Sequence, residues 1–296
     1  MKLVKILLNY QRYKSFKSRL KLYKEIKSNE IIKKYQLDNF NKVWEYAYNN
    51  FSIYKIWLDK YDLPKKLTNL DELLLFPILS KEDLKIYLKA ESDFYSGCKK
   101  IKTGGSSGNI LEFPICKYDS RRAASSMAIS RYYMGFSFAS EYIMIWGHSH
   151  LLGTGLKKII NIFKRKIKDF FQGITRINAY DVSEKSLDHT LKLLKKVKKS
   201  FVITYASYMR LLSQNDNFWK YLKKNKLKVI LTSEVTEETD IHHYEKFENL
   251  EVYNEYGAAE TGLIAFSSKK SISLSLLWDI WIAQILEDKK LILTSI

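Results

Sequence analysis

Two short segments carry residue types that could do chemistry. The first is Lys102-Thr103-Gly104-Gly105-Ser106-Ser107-Gly108-Asn109. Three glycines let the backbone gather several N–H groups at one point, and three hydroxyls add donors. A loop cradling phosphate oxygens needs both. No Gly-Lys-Ser/Thr closes the segment, so it is not a Walker A loop. Gly104-x-Ser106-x-Gly108 also has the letters of a hydrolase nucleophile elbow, but that motif requires a helix directly after the turn. Here Ile110-Leu111-Glu112-Phe113-Pro114-Ile115 follows, a strand-like run closed to helix by Pro114. A polar turn without a ligand is the other reading.

The second segment is Val252-Tyr253-Asn254-Glu255-Tyr256-Gly257-Ala258-Ala259-Glu260-Thr261-Gly262. A strand delivers an aromatic, a glycine and then a carboxylate onto a loop. Tyr256 offers a flat face for stacking on a base, and Glu260 a hard oxygen ligand for a magnesium ion bridging phosphates. Alone, the same residues read as a strand end with a surface glutamate. Other candidates are weaker. His148 and His150 would share one strand face, as a metal pair needs, yet no third ligand is apparent nearby. His242-His243 reads as surface, and Asp181-x-Ser183-Glu184 as a turn and helix start.

The elements that must position these residues fall into two textures. Residues 1–96 read as a helical N-terminal segment, with Ser80 capping a helix that has acidic residues in its first turn. Residues 97–296 alternate between strand-like and helix-like runs. Strands are expected at Tyr142–Gly147, Phe201–Tyr205, Lys228–Thr232 and Leu250–Asn254, and helices at Asp119–Tyr133, Leu187–Val197 and Ser207–Leu212. That alternation predicts an α/β fold, a mixed or parallel sheet flanked by helices, with ligands bound beyond the carboxyl ends of the strands. Residues 156–171 form a basic amphipathic stretch. Its expected role is a surface helix packing Ile159, Ile162, Phe163 and Ile167 on the core, with a membrane surface or acidic partner as the alternative.

Composition bounds the classes. The 296 residues are 46% hydrophobic with 11 Gly and 3 Pro, which excludes wholesale disorder and collagen-like repeats. Fifty Lys+Arg against 32 Asp+Glu leave a net charge of +18. Such an excess attracts polyanions, although a Lys-, Ile-, Asn- and Tyr-rich composition of the kind an AT-rich coding sequence produces also accounts for it. Two cysteines, Cys98 and Cys116, make neither a disulfide framework nor a zinc cluster, so free thiols in a reducing compartment are expected. No run of about 20 apolar residues is present, so no membrane span is expected. The nearest, Ser271 to Leu286, is interrupted by Asp279.

Together, the two segments resemble the adenylate-forming ligase superfamily, and within it the phenylacetate–coenzyme A ligase-like branch that includes capsular-polysaccharide biosynthesis proteins. Thr103, Gly104, Gly105, Ser106, Ser107 and Gly108 match its phosphate loop, and Tyr256, Gly257 and Glu260 its tyrosine-glycine-x-x-glutamate motif. Leu75-Phe76-Pro77-Ile78-Leu79-Ser80-Lys81-Glu82-Asp83-Leu84 is similar to the branch's entry segment. Thr204-Tyr205-Ala206-Ser207 and Leu231-Thr232-Ser233-Glu234 are similar to the strand ends that wall the nucleotide pocket. The resemblance implies the large N-terminal domain of such a ligase, and a carboxylate activated by ATP before a thiol takes the acyl group. It implies that residues 103–108 hold the β- and γ-phosphates. Ser233, Glu234, Asn254, Glu255, Tyr256 and Gly257 would form the adenine pocket, and Glu260 would bind magnesium. Coenzyme A is one acceptor it allows; a carboxylic acid is the substrate, the setting is the bacterial cytoplasm with peripheral membrane association left open, and a homodimer is compatible.

Departures accompany the matches. Ala259 stands where relatives often have a hydroxyl residue facing the α-phosphate. The sequence reaches Ile296 before the ribose-binding aspartate and the C-terminal domain lysine of the family pattern. The expectation is a truncated ligase with no complete catalytic set, weakly active or inactive unless a separate chain supplies the missing domain. Each lost charge-assisted contact in such a site typically costs about 3 kcal/mol. Two other classes stay open: a non-catalytic scaffold from a capsule locus, and a basic protein binding nucleic acid or a membrane surface, with no sequence-specific nucleic-acid contact expected.

Overall fold

The computed structural model describes residues 2–102, 111–147, 155–196 and 201–296. In chain order they begin with helices α1 (Lys2–Leu8), α2 (Tyr10–Glu25), α3 (Asn29–Asn50) and α4 (Ser52–Lys60), a 3₁₀ turn at Leu70–Leu75 and helix α5 (Lys81–Ala90). Strands β1 (Lys99–Lys102) and β2 (Glu112–Ile115) lead to α6 (Lys117–Tyr133), β3 (Tyr142–Ile145), α7 (Gly155–Gln172), β4 (Ile174–Ile177) and α8 (Glu184–Lys196). Next come β5 (Phe201–Thr204), α9 (Ala206–Ser213), α10 (Asp216–Leu222), β6 (Leu227–Thr232), α11 (Glu238–Glu245) and β7 (Leu250–Ala258). Strands β8 (Gly262–Ser267), β9 (Leu274–Leu276), β10 (Trp281–Ile285) and β11 (Leu291–Ser295) complete the order. The expected α/β class is what the chain adopts.

Contacts divide the chain into two compact units. One comprises Met1–Phe16, Ala124–Ala258 and Leu263–Ser275; the other comprises Lys17–Ala123, Ala259–Gly262 and Leu276–Ile296. The first is built on a sheet of order β4-β3-β5-β6-β7-β8-β9, in which β4, β3, β5, β6 and β7 run parallel. All four residues of β5 are buried, as a central parallel strand covered on both faces requires. Val229 and Leu231 of β6 pack with Leu187, Leu191 and Leu194 of α8, Met209 and Leu212 of α9, and Tyr244 of α11. Burying each such side chain contributes about 1.5–3 kcal/mol before the entropy of ordering it is subtracted.

Helix α7 departs from expectation. Ile162 is half-buried, but Ile159, Phe163 and Ile167 are exposed, so they do not pack on the core. The helix is held instead by Asp169, a buried carboxylate that takes hydrogen bonds from Arg176 Nε at 2.6 Å and Nη2 at 3.1 Å. The turn after it needs Gly173, whose φ is +66° and where an added Cβ would lie 2.7 Å from Glu141 Cγ.

The second unit has an aromatic core in which Phe40, Trp44 and Ala47 of α3 meet Leu63, Leu67, Leu73 and Ile282. Ser80 caps α5 in a reciprocal capping box with Asp83. Asp279, the charge that interrupts the apolar run, is buried. It takes Arg19 Nε at 2.6 Å, Arg19 Nη2 at 2.8 Å and the Tyr23 hydroxyl at 2.8 Å, and burial beside that carboxylate pushes the phenol pKa far up. Removing one partner of such a buried pair costs about 3–5 kcal/mol.

The cysteines also correct the sequence reading, for Cys98 and Cys116 form a disulfide with Cα atoms 4.7 Å apart. The cause is register. Strands β1 and β2 are antiparallel with Lys99 opposite Ile115, so the flanking Cys98 and Cys116 fall opposite one another. The helix that follows, α6, starts two residues earlier than expected, and Asp119 accepts a hydrogen bond from the Cys116 amide at 2.9 Å. Among the described residues no helix is long and apolar enough to cross a membrane.

Candidate functional site

The pairing of β6 with β7 ends with Leu231 opposite Asn254 and Thr232 opposite Glu255. The chain leaves β6 through Ser233, whose φ of +68° is a left-handed conformation that a non-glycine residue adopts only at a cost of about 1–2 kcal/mol. That turn aims Glu234 at the start of α9. Its carboxylate accepts from the Ser207 amide at 2.7 Å and the Ser207 hydroxyl at 2.9 Å. An anion at a helix N-terminus is electrostatically favoured, so Glu234 ties the β6 exit to the β5 exit.

Beyond these strand ends lies a cavity of about 310 Å³ lined by Leu231, Ser233, Glu234, Val235, Thr236, Asn254, Glu255, Tyr256, Gly257, Ile272 and Leu274. All six residues expected to form a base pocket therefore share one concavity. Its walls differ in character. Asn254 is buried; its Oδ1 accepts from Thr236 Oγ1 at 2.7 Å, its Nδ2 donates to the Ser271 carbonyl at 3.0 Å, and its amide donates to Ser267 Oγ at 2.8 Å. Glu255, the next residue of β7, is also buried, accepting from Ser130 Oγ at 3.0 Å and paired with Arg131 Nε at 3.5 Å. Tyr256 is 46% exposed, and Val235, Ile272 and Leu274 are exposed as well, giving the mouth an apolar rim.

Such a cavity is small. At the low end of the ~300–1,000 Å³ typical of ligand sites, it suits one flat heterocycle rather than a whole nucleotide. Its apolar rim with a free aromatic ring favours stacking, and the hydroxyl of Ser233 and the backbone at the strand ends offer polar groups for a base edge.

Sequence reasoning missed Val235, Thr236, Ile272 and Leu274. Thr236 had a local signal, being two residues beyond Glu234. Ile272 and Leu274 had none, because the chain after β8 brings them to the rim.

Glu260 lies in the turn joining β7 to β8, and Gly262, with φ +68°, supplies the left-handed residue that ends this turn. The Glu260 side chain is 28% exposed and faces Lys81 Nζ at 3.8 Å. An exposed pair of this kind contributes about 0–1 kcal/mol, so the carboxylate can exchange its partner. Among the described residues no group of three or more His, Cys, Asp or Glu could hold a metal. Magnesium held by one carboxylate plus phosphate oxygens needs no such group, and Glu260 fits that use. Thr103 to Gly108, together with His148 and His150, lie outside the described residues. Of the other histidines, His242 is exposed as expected. His243 is half-buried, its ring 5.6 Å from that of Phe247.

The chain is similar to 2-hydroxyisobutyryl-CoA ligase in complex with 2-HIB-AMP and CoA in the thioesterification state, with a TM-score of 0.66 and 15% identity over 88% of this chain and 57% of that one. An open conformation of the same ligase in complex with 2-HIB-AMP and CoA gives 0.63 and 16% over 86% and 57%. The fold is that of the N-terminal domain of adenylate-forming ligases. The chain spans about 57% of the length of the ligase it matches. No family model matches the sequence, and no curated protein matches it.

Proposed function

We propose that this chain is the nucleotide-binding part of an ATP-dependent, carboxylate-activating ligase of the phenylacetate–coenzyme A ligase type, serving surface-polysaccharide synthesis in the cytoplasm. The observation that carries the reading is the cavity at the β6 and β7 ends. Six residues matched to the family's base pocket line it, with the Tyr256 ring free for stacking. The polysaccharide link rests on the motif resemblance. The cytoplasmic setting rests on ATP as the substrate.

In the proposed reaction a carboxylate oxygen attacks the α-phosphorus of ATP. The bond to the bridging oxygen of the β-phosphate breaks, and pyrophosphate leaves with that electron pair. A thiol, coenzyme A being the candidate, then attacks the acyl carbonyl and displaces AMP. The residues of this chain act by positioning. Tyr256 fixes the adenine plane, the 233–234 backbone faces it, and Thr103 to Gly108 donate hydrogen bonds to the β- and γ-phosphates. Glu260 would hold magnesium, which supplies charge neutralisation at the phosphate oxygens.

Calorimetric titration with ATP tests the assignment. Stacking on an aromatic is worth about 1–3 kcal/mol by alanine substitution, so Tyr256→Ala should weaken binding roughly 5- to 150-fold with or without magnesium. Glu260→Gln should weaken only the magnesium-dependent part and leave AMP binding unchanged. ATP affinity indifferent to Tyr256→Ala would refute the pocket. Hydroxylamine trapping with a panel of carboxylic acids then reads the chemical step, and the acid that gives a hydroxamate names the substrate.

A further inference from the structure

We infer that α7, with α1 beside it, is a docking surface for an anionic lipid bilayer. The orientation of α7 carries this. At about 100° per residue, Ile159, Ile160, Phe163, Ile167, Phe170 and Phe171 fall within one arc of roughly 120°. An amphipathic helix of a globular domain turns such an arc toward the core, but α7 turns it outward. Ile159 is 64% exposed, Phe163 64% and Phe170 67%. The opposite side faces the protein, through half-buried Ile162 and Arg165 and through buried Asp169 in its pair with Arg176. Lys164 and Lys168 lie beyond one edge of the apolar arc and Lys166 beyond the other, all three exposed. Long lysine stems at the borders of an apolar face can lay their methylenes along it and keep the ammonium at headgroup level.

Helix α1 repeats the pattern. It packs beside α7, exposes Leu3, Val4, Leu7 and Leu8, and points Lys5 inward, where Nζ donates to the Ser140 carbonyl at 2.7 Å. Two neighbouring helices thus present apolar faces outward. The charge selects the occupant. Lys164, Arg165, Lys166 and Lys168 are opposed on α7 by one acidic residue, Asp169, which is already paired, and the whole chain carries +18. A large apolar arc, cationic borders and too much charge to span a bilayer are the marks of a helix lying in a membrane interface. A second copy of this chain would bring the same positive charge against itself. The inference stands apart from the nucleotide reading, since neither helix lines the β6–β7 cavity.

Vesicle co-sedimentation of the full chain tests it, using phosphatidylcholine vesicles with and without phosphatidylglycerol. The wild type should pellet with the mixed vesicles and at least about tenfold less with pure phosphatidylcholine. The double variant Phe163→Ser/Phe170→Ser should lose about tenfold or more in partitioning while its circular dichroism and thermal midpoint match the wild type. Lys164→Gln/Lys166→Gln should weaken partitioning to mixed vesicles alone. Failure of the wild type to pellet would overturn the proposal. So would partitioning that the two serines leave unchanged, which would show attraction by charge alone, or a dimer in analytical ultracentrifugation that the double variant dissociates.

Discussion

Helices α7 and α8 have the same signature in sequence and opposite fates in the fold. Both are basic and amphipathic, and both follow a strand of the parallel sheet. Helix α8 buries its stripe of Leu187, Leu191 and Leu194 against α9, α10 and β6, leaving Leu191 only 2% exposed. Helix α7 keeps its stripe in the open and is fastened from the other side by the Asp169–Arg176 pair. Periodicity reports that a helix has two faces, and tertiary contacts decide which face is covered. A helix that turns its apolar face outward leaves that hydrophobic free energy unrealised in the isolated chain, so something other than folding accounts for the pattern.

The contrast can be broken most forcefully at α8. Leu191→Ala should destabilise the sheet-bearing unit by about 2–5 kcal/mol, read as a lower urea midpoint. A loss below 1 kcal/mol would mean that α8 is no better packed than α7. Next in size is Asp169→Asn, which removes the charge from the α7 fastening and should cost about 1–3 kcal/mol. A silent substitution there would show that α7 is held by something other than this pair.

Helix α11 combines both modes and predicts a smaller effect. Asp240, at its first turn, would be raised by burial, but bidentate hydrogen bonds from Arg210 at 2.6 and 2.7 Å hold its pKa below the ordinary carboxylate value. A depressed folded-state value gives stability that is present above about pH 4 and is lost as pH falls below it. Asp240→Asn should flatten that acid limb by about 1 kcal/mol or less, since Arg210 is more than a third exposed. The smallest effect belongs to α7's open face. Phe163→Ser should change stability by no more than about 0.5 kcal/mol, the range of surface substitutions. A penalty of several kcal/mol would mean the face is covered in the folded protein.

Much of this architecture was legible in the sequence. Strands Phe201–Thr204 and Leu227–Thr232 show as short apolar β-branched runs, because both faces of a central parallel strand are buried. Asp83, three residues after Ser80, announces a capping box through local chemistry alone. The six expected residues that line the cavity were named by the family resemblance of two short segments, not by composition or periodicity. What stayed hidden depends on partners distant in sequence. Cys98 and Cys116 are 18 residues apart, and only the β1–β2 register makes them face each other. Ile272 and Leu274 reach the cavity rim through the course of the sheet edge. The Arg19–Asp279 pair joins residues 260 positions apart, and no periodicity encodes such a meeting.

The central claim is that the cavity at the ends of β6 and β7 receives an adenine ring. Photolabelling the full chain with 8-azido-ATP and sequencing the modified peptides tests it most directly. The account predicts labelling within residues 231–236 or 254–257, suppressed by excess ATP and much reduced in Tyr256→Ala. Labelling confined to other segments, or labelling there that excess ATP leaves unchanged, would contradict it.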